Sequence, residues 1–420
     1  MTHPTDTPAT PAPSPPPLGA DTRPLWRHAS LTRFLIGRVG SIVAQQMLLL
    51  AISWHMYDLT SSTWDLGLVG LCQFLPGLAT TLLAGHCADR MHRGRLVAIC
   101  LVAQALTATL LATTTAMHMV SRDSLLLLSL MLGAIRPFQM SGQQSLLPML
   151  VPPALLARSM ALSTMVQQVS VIAGPALGGL LFAIGVNAVY LTCIVSFSVS
   201  AVLYATVRYD YVPPAREPVT AKTLLAGLHF VGTHPLLLGG ISLDLFAVLF
   251  GGATALLPVY AKEILHVGPQ GLGLLRSAPA VGALCVGFLL SRRAISRGVG
   301  KKLLIAVAVY GLCIIAFGLS RWFPVSLILL AIAGGADTIS VIVRQTLIQL
   351  ETPNAMRGRV AAVNTLFIGA SNQLGEFESG LTATAFGVVG SVVAGGCATV
   401  LIAVTWSRLF KPLARRETLQ

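Results

Sequence analysis

Arg136-Pro-Phe-Gln139-Met-Ser-Gly-Gln143 and Asp337-Thr-Ile-Ser-Val-Ile-Val-Arg344 open two stretches, residues 136–180 and 337–381, that share their spacing at a constant offset of 201. Arg136 falls on Asp337, Pro152 on Pro353, Arg158 on Arg359, Gly174 on Gly375 and Gly179 on Gly380. The chain around them is made of long apolar runs, so the repeat reads as a duplicated membrane protein with two similar halves. Transport folds are built this way, because two matched bundles flanking a midplane site can rock to expose it to either side. The copies differ in charge, which lets the halves share geometry while dividing tasks.

Working outward, the 420 residues are 54% hydrophobic and 10% charged, with a mean hydropathy of +0.76. A soluble domain carries roughly 25% charged residues. Twelve apolar stretches of about 20 residues can be counted, the length that crosses a bilayer as a helix. Without water to satisfy backbone groups they must be helical, since barrel strands are about half as long and alternate in polarity. The expected fold is all-α and integral to the membrane, with twelve transmembrane helices in two pseudo-symmetric six-helix bundles. Residues 1–30 read as a disordered Pro/Thr-rich tail, 31–207 as the first bundle, 208–234 as a linker with an amphipathic segment, 235–408 as the second bundle and 409–420 as a basic tail.

The net charge of +13 does not indicate nucleic acid, because the cations are scattered over short loops: Arg90, Arg93 and Arg95 in one, Arg292, Arg293, Arg297, Lys301 and Lys302 in another. Alternate loops hold only Arg122, Lys262 and Arg321. By the positive-inside rule both termini and the basic loops belong in the cytoplasm of a multi-pass membrane protein. Seven cysteines lie in or beside apolar runs without metal-ligand spacing, so no metal, disulfide or cofactor is expected. No Gly-x-x-x-x-Gly-Lys-Ser/Thr loop is present, which points to an ion gradient as the energy source.

The loop after the second stretch reads Gly85-His-Cys-Ala-Asp89-Arg90-Met-His-Arg93-Gly-Arg95, and the fifth stretch reads Ser170-Val-Ile-Ala-Gly174-Pro175-Ala-Leu-Gly178-Gly179. The first resembles the Gly-x-x-x-Asp-Arg-x-x-Arg loop of the major facilitator superfamily, and the second its Gly-Pro-x-x-Gly-Gly exporter signature. The resemblance covers Leu31 to Phe410. More narrowly, Trp54-His-Met-Tyr57-Asp58, Ile241-Ser-Leu-Asp244 and Ser371-Asn372-Gln-Leu-Gly375-Glu376-Phe-Glu378-Ser-Gly380 are similar to the branch that contains the bacterial enterobactin exporter. It implies that Gly85, Asp89, Arg90 and Arg93 form a cytoplasmic latch against Arg357 to Arg359, although the same loop also reads as a plain topology signal. It implies a gating bend at Gly174, Pro175, Gly178 and Gly179, where close packing alone is the alternative. His92, Gly94 and Ser170 depart from the family pattern, and the loop Ser291-Arg292-Arg293-Ala-Ile-Ser-Arg297 lacks the Asp, so any latch is asymmetric.

A charge at mid-bilayer costs at least about 2.5–3.5 kcal/mol, so mid-span ionisable groups are functional candidates. Arg136, Asp244, Asp337, Glu376 and Glu378 are five such groups. Arg136 and Asp337 stand at equivalent places and suit either an ion pair across the pseudo-axis or substrate contact. Gln139 and Gln143 share a helical face with Arg136, and Gln45, Gln46 and Asn372 complete the candidate substrate-binding set. Glu376 and Glu378, two apart, point to different sides of one helix. Glu376 or Asp244 is the preferred proton carrier, with Glu378 as a third candidate and gating or packing as the alternative role. Asp58 and Asp65 read as caps or gate residues, and Arg38 and Arg276 as side chains reaching for the interface. The expected protein is a monomeric, proton-coupled exporter of a small organic molecule such as a siderophore, with protons and membrane lipid as its other partners. A multidrug exporter of the same fold, or a non-transporting sensor, stands as the alternative. No nucleophile-base pair marks an enzyme.

Overall fold

The structure is a computed structural model that describes residues 28–209, 221–292, 298–353 and 356–417. The first half comprises α1 (Ala29–Thr60), α2 (Thr63–Arg90), α3 (Arg93–Ala116), α4 (Arg122–Leu146), α5 (Pro153–Phe182) and α6 (Val186–Ala205). A linker helix, α7 (Ala221–Thr233), precedes α8 (Pro235–Gly251), α9 (Leu257–Val259), α10 (Gly268–Arg292), α11 (Val299–Leu319), α12 (Phe323–Glu351), α13 (Arg357–Phe386), α14 (Val388–Leu409) and the short α15 (Lys411–Ala414). No strand occurs among the described residues.

Local chemistry sets the breaks. Ser62 accepts from the Asp65 N–H to start α2, and Ser121 and Ser124 bond reciprocally at the start of α4, satisfying amides that have no helical partner. Gly387 separates α13 from α14 in one residue at φ 73° and ψ 162°, a backbone region open to glycine almost alone. The seventh span is discontinuous: α8 ends at Gly251, and a 3-10 turn, α9 and a π-turn carry the chain to Ile264. The freed carbonyls are not left bare, for Tyr310 Oη donates to Gly251 O at 3.0 Å and Ser379 Oγ to Gly252 O at 2.7 Å. Such replacement bonds let irregular backbone persist away from water.

The duplication appears directly in the packing. α2 packs on α4 as α10 does on α12, α3 on α6 as α11 on α14, and α1 on α5 and α6 as α8 on α13 and α14. The halves meet through α5 against α10 and α13 against α2, again counterparts. This exchange is what a pseudo-twofold axis between two bundles produces. Outward-facing Ile99, Leu106, Leu191, Val195, Leu312 and Leu401 are exposed, an apolar surface suited to lipid.

Among the described residues, ten helices are long and apolar enough to cross a membrane by length and composition. α2 and α13, 28 and 30 residues long, are less apolar because Gln73, Asn372 and Glu376 interrupt them. The end segments also differ from simple tails. Leu413 in α15 is fully buried, the Gly300 N–H donates to Arg416 O at 3.0 Å and Arg416 pairs with Glu351 at 2.8 Å. α7 lies on the start of α13, with Val231 in one apolar cluster with Val360 and Val363.

Candidate functional site

Between the halves lies a cleft closed at one end. Along α5, Ala157, Ala161 and Thr164 are exposed, yet higher on the same face Ser277 Oγ donates to Ile172 O at 2.7 Å. On α13, Ala361, Thr365, Gly369 and Asn372 are exposed, whereas further along Phe377 meets Trp64 edge-on at 5.5 Å. The halves thus part toward Arg158 and Arg359 and join at the opposite end. That joint is polar at its rim: Lys262 pairs with Asp58 at 2.5 Å, Tyr57 Oη donates to Glu263, and Thr63 and Thr384 share a hydroxyl hydrogen bond of 3.1 Å.

Small residues bring the joint together. A Cβ on Gly380 would sit 2.7 Å from Gly67 Cα, and one on Gly179 would sit 3.2 Å from Gly273 Cα. Gly174 and Gly178, one turn apart, serve a different neighbour and press on Gln46 and Met47 of α1. In the second half Gly375 presses likewise on Val248 and Leu249 of α8. The motif Gly174, Pro175, Gly178 and Gly179 therefore packs α5 against two helices at once, within its own half and across the interface.

At the roof of the cleft stand Arg136 from α4, Arg276 from α10 and Glu376 from α13. Arg136 is solvent-exposed although it sits midway along α4, and it lies within electrostatic reach of Glu376, as does Arg276. Arg276 Nη2 donates to Ser53 Oγ at 2.9 Å, and its Nε is buried without a partner among the described residues. Gly70 makes room for the acid, since a Cβ there would lie 2.9 Å from Glu376 Cβ. Two cations against one carboxylate leave the roof positively charged, a setting that attracts an anion.

The expected ion pair of Arg136 with Asp337 is not formed: Arg136 lies within electrostatic reach of Glu376, and the second half balances its own charges. Asp244 pairs there with Arg344, both almost fully buried. Asp337 borders a small recess beside that pair together with Asp244, Tyr310 and Ser340. The interface reading of Arg276 also fails: burial against Ser53 and Glu376 is a better destination for its guanidinium than a long reach to water. Arg38 donates to Gln167 Oε1 at 2.6 Å at an exposed position between α1 and α5. Gln139 and Gln143 turn into the first bundle instead of the cleft: Gln139 accepts from Gln104 Nε2 at 2.7 Å and Gln143 donates to Ser41 Oγ at 3.4 Å. Gln45 borders a recess next to Arg136, and Asn372 Nδ2 donates to Ile368 O at 2.8 Å on the open part of the cleft. Glu378, half-buried on another side of α13, makes no ion pair among the described residues.

In the last turns of α2, Gly85 has open space around it and Arg90, its final residue, is exposed. The Asp89 side chain lies outside the described residues. Arg93 is buried in its own half, where Nη1 donates to Ser145 O at 2.9 Å and so caps the carbonyl end of α4. Sequence reasoning missed Ser53 and Gly70 and assigned Arg276 to the interface. Arg276 alone gave a signal, a lone cation nine residues into a helix that starts at Gly268.

A discontinuous seventh span, matched bundles and a charged cleft between them define a membrane transporter, not an enzyme. The Major Facilitator Superfamily model matches residues 34–376, and the chain belongs to that family. It is 28% identical over 348 residues to the enterobactin exporter EntS of Citrobacter koseri, covering 81% of this chain and 80% of that one. The enterobactin exporter EntS of Escherichia coli is 26% identical over 390 residues, 91% of each chain. Among solved structures, an inward-facing bacterial homologue of the lysosomal transporter Spinster superposes with a TM-score of 0.71 at 17% identity, covering 94% of this chain and 98% of that one. An inward-facing bacterial homologue of ferroportin gives a TM-score of 0.70 at 17% identity, covering 94% and 100%.

Proposed function

We propose that this protein is a proton-driven exporter of a small organic anion, of which a siderophore is the favoured example, working by alternating access. The observation that carries the reading is the roof of the cleft, where Arg136 and Arg276 from opposite halves both stand within electrostatic reach of Glu376. A cargo anion and the Glu376 carboxylate compete there for the same two arginines, which return to the carboxylate once the cargo has left. With the basic loops in the cytoplasm, both termini are cytoplasmic, all twelve long helices cross the inner membrane and the cleft opens inward. The sealed periplasmic end is then held by Asp58, Lys262, Tyr57 and Glu263. Asp244 and Asp337 hold the second acidic site, in the bundle core behind the cleft. Similarity to the enterobactin exporters over nine-tenths of the chain supports the direction and the cargo class.

The test is flux in inside-out vesicles under an imposed pH gradient, with labelled catecholate and hydroxamate siderophores as cargo. Wild-type protein should accumulate at least one of them only while the gradient lasts. Glu376→Gln should reduce uptake to the level of empty vesicles. Gradient-independent flux in the wild type would end the proton reading, and equal inhibition by unrelated hydrophobic cations would replace the cargo class with a broad one.

A further inference from the structure

We infer that the recess beside Arg136 is a specificity subsite for a hydroxyl carried next to an oxyanion, as in catechols, salicylates and α-hydroxy acids. The inference rests on the anion-export reading and adds the feature by which cargo is chosen. The recess is lined by Gln45, Gln73, Gln104 and Arg136, with Leu48, Leu49, Leu132 and Phe197 as its apolar walls. Three amides from α1, α2 and α3 converge on one small space inside an otherwise apolar bundle. Burying an amide without partners costs about 1–3 kcal/mol, so three in one place call for an account.

The Gln104 side chain gives it. Gln104 is 1% exposed. Its Nε2 is used on Gln139 at 2.7 Å, while its Oε1 is buried without a hydrogen-bond partner among the described residues. The recess therefore presents an acceptor that lacks a donor. Gln73, 9% exposed, and the less buried Gln45 bring further amides to the same space. The volume, about 10 Å³, suits one water-sized group and nothing larger. At its edge the Arg136 guanidinium faces the cleft. A ligand that satisfies both carries an anionic oxygen for Arg136 and, one or two bonds away, a hydroxyl that donates to Gln104 Oε1 and accepts from a neighbouring amide. Its other half projects into the cleft toward Glu376. A counterpart recess, bordered by Asp244, Tyr310, Asp337 and Ser340 in the second half, is acidic, so the amide recess is the one fit to receive an uncharged hydroxyl beside an anion.

The test uses purified full-length protein in detergent and the acid pair 2-hydroxybenzoate and benzoate, which differ by that one hydroxyl, with binding read by calorimetry. Wild-type protein should bind 2-hydroxybenzoate about tenfold more tightly, the worth of one well-made buried hydrogen bond. Gln104→Leu and, from a different helix, Gln73→Leu should bring that ratio close to one while leaving benzoate affinity in place. Arg136→Ala should weaken both acids together. A recess that holds only structural water leaves the ratio unchanged in both glutamine variants, and this result overturns the proposal, as does the absence of any preference or any binding in the wild type. Loss of gradient-driven flux bears on the export reading alone, because the acid pair is measured without a gradient.

Discussion

Asp244 and Arg344 show what a single charge costs inside this fold. Each is nearly sealed from solvent by its bundle, so removing one partner leaves an uncompensated ion in an apolar core. Asp244→Asn should therefore destabilise the protein by about 3–5 kcal/mol, whereas replacing both residues by apolar ones of similar volume should recover most of the loss. Thermal unfolding of the single and double variants in detergent checks this, and an unaltered single variant would show the pair to be dispensable. The presence of costly charges was readable in the sequence, for Asp244, Asp337, Glu376 and Arg136 all interrupt apolar runs. Their pairing was not. Spacing says which residues share a helix face, but Arg344 chooses between Asp337 on its own helix and Asp244 on α8 by the approach of two helices, and no pattern within one helix encodes that. Arg276 was undervalued for a related reason, since distance from a helix end predicts access to water only when no neighbouring half covers the position.

At the scale of the element, the crossings of α5 with α10 and of α13 with α2 depend on paired glycines. A side chain at Gly273 would run into the carbonyl of Pro175, and one at Gly380 into the backbone at Thr63 and Gly67. Gly380→Val should hold α13 away from α2. An overpacking cost of about 1.4 kcal/mol at that contact lowers the population of the joined state roughly tenfold. The readout is the oxidative cross-linking yield of a Thr63→Cys/Thr384→Cys pair, which should fall in the Gly380→Val background; an equal yield would mean the crossing tolerates the added bulk. The glycines themselves were plain in the sequence because they recur at one offset. Which helix each one faces was hidden, since Gly178 and Gly179 are adjacent in sequence yet touch α1 and α10 respectively. The broken seventh span was likewise invisible as a break. Gly251, Gly252 and Pro258 mark it, but its persistence depends on hydroxyls of Tyr310 and Ser379 that arrive from elsewhere in the chain.

For the whole molecule, the joint at one end and the cleft at the other make the rim contacts a reporter of state. Thr63 and Thr384 hydroxyls lie 3.1 Å apart, so cysteines placed there in a background free of the native thiols should bridge on oxidation. Flux should stop when the bridge forms and return on reduction, because alternating access requires this end to part. Continued flux through the bridged protein would refute rocking about the cleft. Reversing the rim pair by Asp58→Lys with Lys262→Asp should retain more flux than either change alone, since only the singles set like charges face to face. Twofold organisation was legible from the first repeated stretch, and the mirrored helix contacts bear it out. The repeated stretch also shows a change of sign between copies: arginine at 136 answers to aspartate at 337, and proline at 175 to glutamate at 376. Two identical subunits around a true dyad would be forced to mount the same group on both walls, cation opposite cation or acid opposite acid. Joining both copies in a single reading frame lifts that restriction, so each wall became free to mutate alone, and a chamber able to tell its left from its right followed from the fusion.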